Sequence, residues 1–395
     1  MVYALTVLAK RALKKHNPRI IAITGSVGKT TTKDIIYYSL KDLTDVRASK
    51  KSFNSDIGVP LSIFGLNNPY VSPKQWMIVF KNALRQLRGE TFPSVLVLEV
   101  GAGSPGDISG IAPWLRPDIS VFTQLSRDPV HLEFFDSPED VYQEKKSLAV
   151  HTKESGVVLY NGKDPILERL LNEEGIHTDT FNVEERTDTL RSDGIEVSIE
   201  GDSVLLKGIT GKHFGNMVSI VRKISQYLGY STAEMFESLE KNFTPTRGRG
   251  RLIRGINNAI LIDDAYNASP VAVRASLKSF EEFKALKKKI FVFGDMMELG
   301  NIEGQAHREV TEYLSFIDML ITVGQRAQQT HDAVPDDIEA RHFNTSDEAG
   351  KYLKDILQEG DAVLFKGSRH AIKMERAIVQ VALPEEREKL VQDYL

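Results

Sequence analysis

Cysteine is absent from the 395-residue chain, which excludes disulfides, thiolate metal sites and cysteine nucleophiles. Long apolar runs are missing too. None reaches the roughly 18 residues that a membrane-spanning helix requires, so no membrane span is expected and localisation defaults to the cytoplasm. Neither sign of charge is in large excess: 50 Lys and Arg stand against 54 Asp and Glu, a formal net charge of −4. That balance calls for no nucleic-acid partner and no membrane, and function must be sought in local motifs. Internal repeats and low-complexity segments are also lacking.

What remains is a chain too long for one ordinary core, and two or three domains are expected from length alone. Leu5, Leu8 and Leu13 recur near helical spacing among Lys10, Arg11, Lys14 and Lys15, which reads as a short amphipathic helix over residues 1–18 stopped by Pro18. It is expected to pack on the first domain, with a membrane surface as the alternative resting place. From Arg19 onward the chain alternates short apolar runs with segments of helical period. The runs are Ile20-Thr24, Val95-Glu99, Ile119-Thr123 and Val157-Tyr160, then Ala259-Asp263, Ile290-Phe293, Met319-Val323 and Ala362-Phe365. This is the pattern of parallel strands joined by crossover helices. Short alternating segments between Thr178 and Thr210, broken at Asp193-Gly194 and Gly201-Asp202, predict a small β excursion. Two α/β domains follow, 19–245 and 246–395, divided near Pro245.

The strongest motif is Thr24-Gly25-Ser26-Val27-Gly28-Lys29-Thr30-Thr31-Thr32, placed after an apolar strand and before a helix. Glycines let such a loop turn tightly and bring backbone N–H groups against phosphate oxygens, while the helix N-terminus favours negative charge. Lys29 would reach the terminal phosphates of a nucleotide and Thr30 a Mg²⁺ ion. Ile23 stands where the longer P-loop pattern has glycine, leaving the shorter G-x-x-G-K-T spacing. Glu99 ends an apolar strand, where a carboxylate faces the crevice beyond the strand ends. It is a sensible Mg²⁺ ligand, although carboxylates there also serve as helix caps and loop anchors.

That short loop with its threonine run resembles the ATP loop of the Mur ligases and folylpolyglutamate synthases. Other stretches are similar to the MurF branch, which adds D-alanyl-D-alanine to UDP-N-acetylmuramoyl-tripeptide (UDP-MurNAc-tripeptide): Phe53-Asn54-Ser55-Asp56-Ile57-Gly58-Val59-Pro60-Leu61, Glu99-Val100-Gly101-Ala102 and Asp263-Asp264-Ala265-Tyr266-Asn267-Ala268-Ser269-Pro270. Gly294-Asp295-Met296-Met297-Glu298-Leu299-Gly300 and Lys366-Gly367-Ser368-Arg369 complete the series in the family's order. The resemblance implies a P-loop central ATPase domain with a parallel sheet and a Rossmann-like α/β C-terminal domain.

It also implies a site. ATP would be held by Gly25, Ser26, Val27, Gly28, Lys29, Thr30 and Thr31, with Asn216 near the adenine, Arg249 on the γ-phosphate and Asp264 on the ribose, between the domains. Tyr266 and Asn267 would line the nucleotide or a hinge. Two Mg²⁺ ions would rest on Thr30, Glu99, His131 and a carbamylated Lys145, making Lys29, Glu99, His131, Lys145 and Arg249 the catalytic set. Asn54, His307, Arg308, Lys366, Ser368 and Arg369 are the implied substrate-side residues. Plainer readings stand beside these: Lys145 on a solvated helix face, His131 satisfied by backbone, Asn216 as a helix cap, Arg247 or Arg251 in place of Arg249, and strand-to-helix turns at Tyr266-Asn267 and Lys366–Arg369. Phe214 occupies a position where the family carries Asn.

The implied chemistry is phosphoryl transfer from ATP to a carboxylate, then amine attack on the acyl phosphate, with UDP-MurNAc-peptide and D-Ala-D-Ala as the leading partners of a monomeric enzyme. The MurF branch has a separate UDP-binding domain ahead of its ATP loop, whereas only a short stretch precedes Gly25 here. Either the central domain and the N-terminal helix hold the sugar nucleotide alone, or the carboxyl substrate differs. Three alternatives remain open: a related ligase acting on folate, an amino-acid polymer or an archaeal wall peptide; a P-loop phosphotransferase or motor; and a binding module without activity.

Overall fold

The computed structural model describes residues 1–50, 53–127, 134–182, 185–191 and 193–394. They form two compact units, Met1–Arg186 with Ser198–Val204 and Asn216–Phe243, and Thr187–Val197 with Leu205–Gly215 and Thr244–Leu395.

The first unit opens with α1 (Val2–His16), which buries Leu5, Ala9, Ala12 and Leu13 and ends at Asn17 in the left-handed region, φ 44°. Then come β1 (Arg19–Thr24), α2 (Lys29–Leu40), β2 (Val46–Ala48), α3 (Gly58–Phe64), α4 (Pro73–Arg88), β3 (Val95–Glu99) and α5 (Ala112–Leu115). β4 (Ile119–Phe122), α6 (Pro138–Val150), β5 (Val157–Tyr160), α7 (Pro165–Leu171) and β6 (Thr178–Thr180) complete the sheet. Its order is β2-β3-β1-β4-β5-β6, and every pairing is parallel. β3, β4 and β5 are buried along their whole length, as strands covered on both faces must be. Side-chain caps set several helix starts: Ser72 accepts from Gln75 N at α4, Ser137 from Asp140 N at α6, and Asp164 from two backbone N–H groups at α7. Each is followed by proline at the first helical position, where the missing N–H costs nothing.

β7 (Arg186–Arg191), β8 (Gly194–Ile199) and β9 (Asp202–Lys207) make a three-stranded sheet with residues in both units. This is the expected β excursion. α8 (His213–Leu228) and α9 (Thr232–Asn242) follow, and α9 lies against α2.

The second unit contains β10 (Arg251–Arg254), β11 (Ile260–Asp263), α10 (Pro270–Glu282), β12 (Lys289–Gly294), α11 (Glu303–Glu309), β13 (Met319–Val323), α12 (Gln328–His331) and β14 (Glu339–Phe343). It ends with α13 (Ser346–Ile356), β15 (Ala362–Lys366), α14 (Arg369–Ile372), α15 (Glu375–Val381) and α16 (Pro384–Tyr394). The sheet order is β10-β11-β15-β12-β13-β14. β10 runs antiparallel to β11 and the other pairs are parallel, so the sheet is mixed. Beside β10, Gly255 forms an antiparallel bridge with Ala382, and Leu383 N donates to Arg254 O at 2.9 Å. Separate apolar clusters cover the two sheet faces.

Candidate active site

Because β1, β3 and β4 are parallel neighbours, the loops that leave them emerge at one edge of the first sheet. β1 runs into the glycine loop. Gly25 has φ 143° and a side chain there would overlap Thr123 Oγ1; Gly28 has φ 84°. The loop is tied to the residues after β4: Ser26 N donates to Gln124 O at 2.7 Å and Thr123 Oγ1 to Val27 O at 2.6 Å. Lys29 folds back over it and donates to Gly25 O at 2.8 Å. Thr30 and Thr31 follow in the first turn of α2, both buried.

Glu99, only 1 % exposed, ends β3 beside this loop. Thr30 Oγ1 donates to its Oε2 at 2.9 Å and Asn54 Nδ2 to its Oε1 at 3.1 Å. Gly101 allows the second contact, since a Cβ there would stand 2.7 Å from Asn54 Nδ2. A cavity of about 260 Å³ opens beside the pair, lined by Gly25, Ser26, Lys29, Asn54, Asp107 and Lys145 among others. Of the two adjacent lysines on α6, Lys145 lines this cavity, while Lys146 is paired with Glu173. Among the described residues, Lys145 Nζ has no hydrogen-bond or ion-pair partner. Burial, then the charge of Lys29, pulls its pKa from the ordinary 10.5 to about 7, against the opposing pull of Glu144. A hydroxyl and a carboxylate oxygen are hard donors of the kind Mg²⁺ takes. No group of three or more His, Cys, Asp or Glu able to hold a metal occurs among the described residues. His131 lies outside the described residues.

The second unit gathers another group around the ends of β11 and β15. The Arg249 guanidinium lies 4.2 Å from the centre of the Tyr266 ring, and its Nε is buried without a hydrogen-bond partner among the described residues. Asp264 takes a hydrogen bond from Ser276 Oγ and an ion pair from Lys366 at 2.8 Å. Lys366 Nζ also donates to the carbonyls of Asp264 and Asn267 at 3.0 and 2.9 Å, and Ser368 Oγ to Asn267 Oδ1 at 3.1 Å. Arg369 pairs with Glu375 at 3.3 Å. His307 is buried on α11, receiving Met296 N–H on Nε2 at 3.0 Å and approaching Glu303 O through Nδ1 at 2.7 Å. Burial lowers its pKa, so it is a neutral imidazole fixed in one tautomer. Its neighbour Arg308 is exposed and donates to Gln329. Asn216 lies in the first unit, where its Oδ1 accepts from Arg186 at 2.6 Å.

Three polar residues at these sites carried no sequence-based assignment. Asp107 accepts from the N–H groups of Gly103 and Ser104, both at 2.8 Å, shaping the cavity wall. Asp295 accepts from Arg326 N and Ala327 N at 2.9 Å, and Arg326 reaches Glu303 at 2.6 Å. Glycines were the available signal: Gly101-Ala102-Gly103 after β3, and Gly324 (φ 98°) after β13.

Models of the Mur ligase middle domain and of the Mur ligase glutamate ligase domain match residues 23–221 and 248–369. The chain belongs to the Mur ligase family. Like the MurF ligases it matches, this Mur ligase is an ATP-dependent, ADP-forming enzyme. It is 29 % identical over 390 residues to the UDP-N-acetylmuramoyl-tripeptide–D-alanyl-D-alanine ligase of Bacillus subtilis, covering 95 % of this chain and 78 % of that protein. The MurF ligase of Thermotoga maritima, solved in complex with ADP, superposes with a TM-score of 0.77 at 25 % identity, covering all of this chain and 85 % of that one. MurF from Acinetobacter baumannii shares the fold, with a TM-score of 0.76 at 23 % identity over 95 % of this chain and 79 % of that one.

Proposed function

We propose that this Mur ligase joins D-alanyl-D-alanine to UDP-N-acetylmuramoyl-tripeptide, as the name of its Bacillus subtilis relative describes. The observation that carries the reading is that Lys29 and Asn54 line one cavity and that Asn54 and Thr30 both donate to the Glu99 carboxylate. In the first step the γ-phosphoryl group passes from ATP to the substrate carboxylate, releasing ADP. The dipeptide amine then attacks the acyl carbon, and the tetrahedral intermediate expels inorganic phosphate as the amide forms. No protein nucleophile takes part. Both steps concentrate negative charge, and Lys29, the loop N–H groups and Arg249 are the cations and donors that offset it. Thr30 and Glu99 would hold Mg²⁺, which when bound supplies further neutralisation of phosphate charge.

A second Mg²⁺ on His131 and a carbamylated Lys145 belongs to the same proposal. Its support is the burial of Lys145 and its lowered pKa, because carbamylation requires a neutral amine. On the acceptor side, Lys366, Ser368 and Arg369, with Asn54 and Arg308 as further substrate contacts, supply donors suited to a dipeptide carboxylate, while His307, buried with both ring nitrogens engaged, would act by holding the Met296 turn rather than by touching substrate. Asn216 for adenine, Asp264 for ribose, a monomeric state, a cytoplasmic location and the 19–245 and 246–395 division complete the reading. No helix among the described residues is long and apolar enough to cross a membrane. The decisive experiment is mass spectrometry of the product formed from ATP, UDP-MurNAc-tripeptide and D-Ala-D-Ala. A product heavier than the tripeptide substrate by one dehydrated dipeptide is expected. ADP release without that product, or a product with another amine only, would overturn the substrate assignment.

A further inference from the structure

Two helices of the first unit present a surface with no residue in the lining of the glycine-loop cavity. α1 and α4 pack against each other, and Lys15 Nζ donates to the carbonyls of Leu87, Arg88 and Gly89 at 3.0, 3.2 and 3.0 Å, bringing the two C-termini together. The chain carries 54 acidic residues, yet none falls within residues 1–33 or 57–89, which contain both helices. On α1 the outward face carries Lys10, Arg11 and Lys14; on α4 it carries Lys74, Lys81, Arg85 and Arg88. None of these cations has an acidic partner among the described residues. The positive charge is therefore concentrated on one face of a protein whose net charge is −4.

The same surface holds apolar side chains that a free face would normally lack. More than half of the large apolar residues left exposed among the described residues are here: Tyr70 and Val71 before α4, Met77, Ile78 and Leu84 on it, and Met1 and Tyr3 at the start of α1. Val71 is 96 % exposed and Tyr3 82 %. Met77 and Ile78 fall between Lys74 and Lys81 at helical spacing, so cations and apolar tips share one stripe. Isolated exposed apolar residues need no explanation, but a group of them rimmed by unpaired cations does.

We propose that this α1–α4 face docks on a membrane surface rich in anionic phospholipid. The chemistry matches on both counts. Lys and Arg heads meet lipid phosphates, while Met, Ile, Val and Tyr side chains enter the boundary between headgroups and acyl chains. Nucleic acid would use the cations but offers nothing to exposed Val71, Met77 and Ile78. The attachment is peripheral, made by the outer faces of helices whose inner faces stay in the protein core.

The test is co-sedimentation of the full chain with vesicles of phosphatidylcholine alone and of equal parts phosphatidylcholine and phosphatidylglycerol, at low and high salt. Sedimentation with the anionic vesicles is expected, weakened by salt. Lys74→Glu with Lys81→Glu should lower partitioning on the order of tenfold or more. Met77→Ser with Ile78→Ser should lower it as well, whereas the same charge reversal at Lys351 and Lys354 on α13 should do so much less. Thermal melts and ADP formation without lipid verify that each variant is folded, since none of these residues belongs to the catalytic machinery. Absence of binding to anionic vesicles would overturn the proposal, as would binding undiminished by either α4 variant. Self-association abolished by the Met77→Ser, Ile78→Ser variant, without vesicle binding, would assign the face to a second copy instead.

Discussion

Lys145 gives the sharpest expected outcome. Its amine is buried beside Lys29, and its pKa of about 7 replaces the ordinary 10.5. At pH 8 such an amine is about 90 % neutral, against roughly 0.3 % for an ordinary lysine, a gain of roughly 300-fold in the form that reacts with CO₂. A ¹³C-bicarbonate spectrum of the folded enzyme should therefore contain a carbamate resonance that Lys145→Met lacks. The stability consequence has a definite sign. Between pH 7 and 10.5 the unfolded chain binds the proton and the folded chain does not, so unfolding free energy rises with pH across that window. Below pH 7 both states are protonated and the full penalty of burying the charge is present. The gap from 10.5 to about 7 sets a ceiling of about 5 kcal/mol on that penalty. Lys145→Met should be more stable than the parent below pH 7, should lose the rise with pH in chemical denaturation, and should lose most ligase activity. A fully active Lys145→Met enzyme in bicarbonate, or a parent without the carbamate resonance, would refute the reasoning.

Lys29→Ala should retain its melting temperature and lose ADP formation by on the order of 10²–10³-fold, measured in a coupled assay; near-normal turnover would sink the ATP-site assignment. Gly25→Ala adds a Cβ at φ 143° against Thr123 Oγ1, so weaker nucleotide binding by calorimetry and a lower melting temperature are expected. Arg249→Lys keeps the charge but loses the planar contact with Tyr266, and should reduce kcat/KM in a way that Tyr266→Leu partly reproduces.

The sequence made the strands of both sheets legible where they were fully buried, because a parallel strand covered on two faces is a continuous apolar run. It concealed β2, an edge strand of three half-buried residues, and β14, whose Glu-Ala-Arg-His-Phe sequence reads as surface. The antiparallel direction of β10 was equally hidden, since strand direction depends on a partner far along the chain. For the site, Lys29, Thr30 and Glu99 stood out because loop, helix start and strand end lie next to the residues concerned. The family resemblance already pointed to Lys145 on a charge-rich helix; the fold adds that Lys145 lines the cavity while its neighbour Lys146 meets Glu173. Asp107, Asp295 and Arg326 were marked only indirectly, by the glycines near them, because their roles consist of contacts with turns.

The bridge between Gly255 and Ala382 has a bearing on how the protein survives in a crowded solution. β10 is the outer strand of the second sheet, and an outer strand offers unpaired N–H and C=O groups to any neighbouring chain. The segment joining α15 to α16 occupies part of that edge through Ala382 and Leu383, and Glu386 neutralises Arg254 alongside it. The opposite edge, β14, is guarded differently, by Glu339, Arg341 and His342. The C-terminal helices thus act as a cover against strand-to-strand aggregation, and their loss would show first as insolubility.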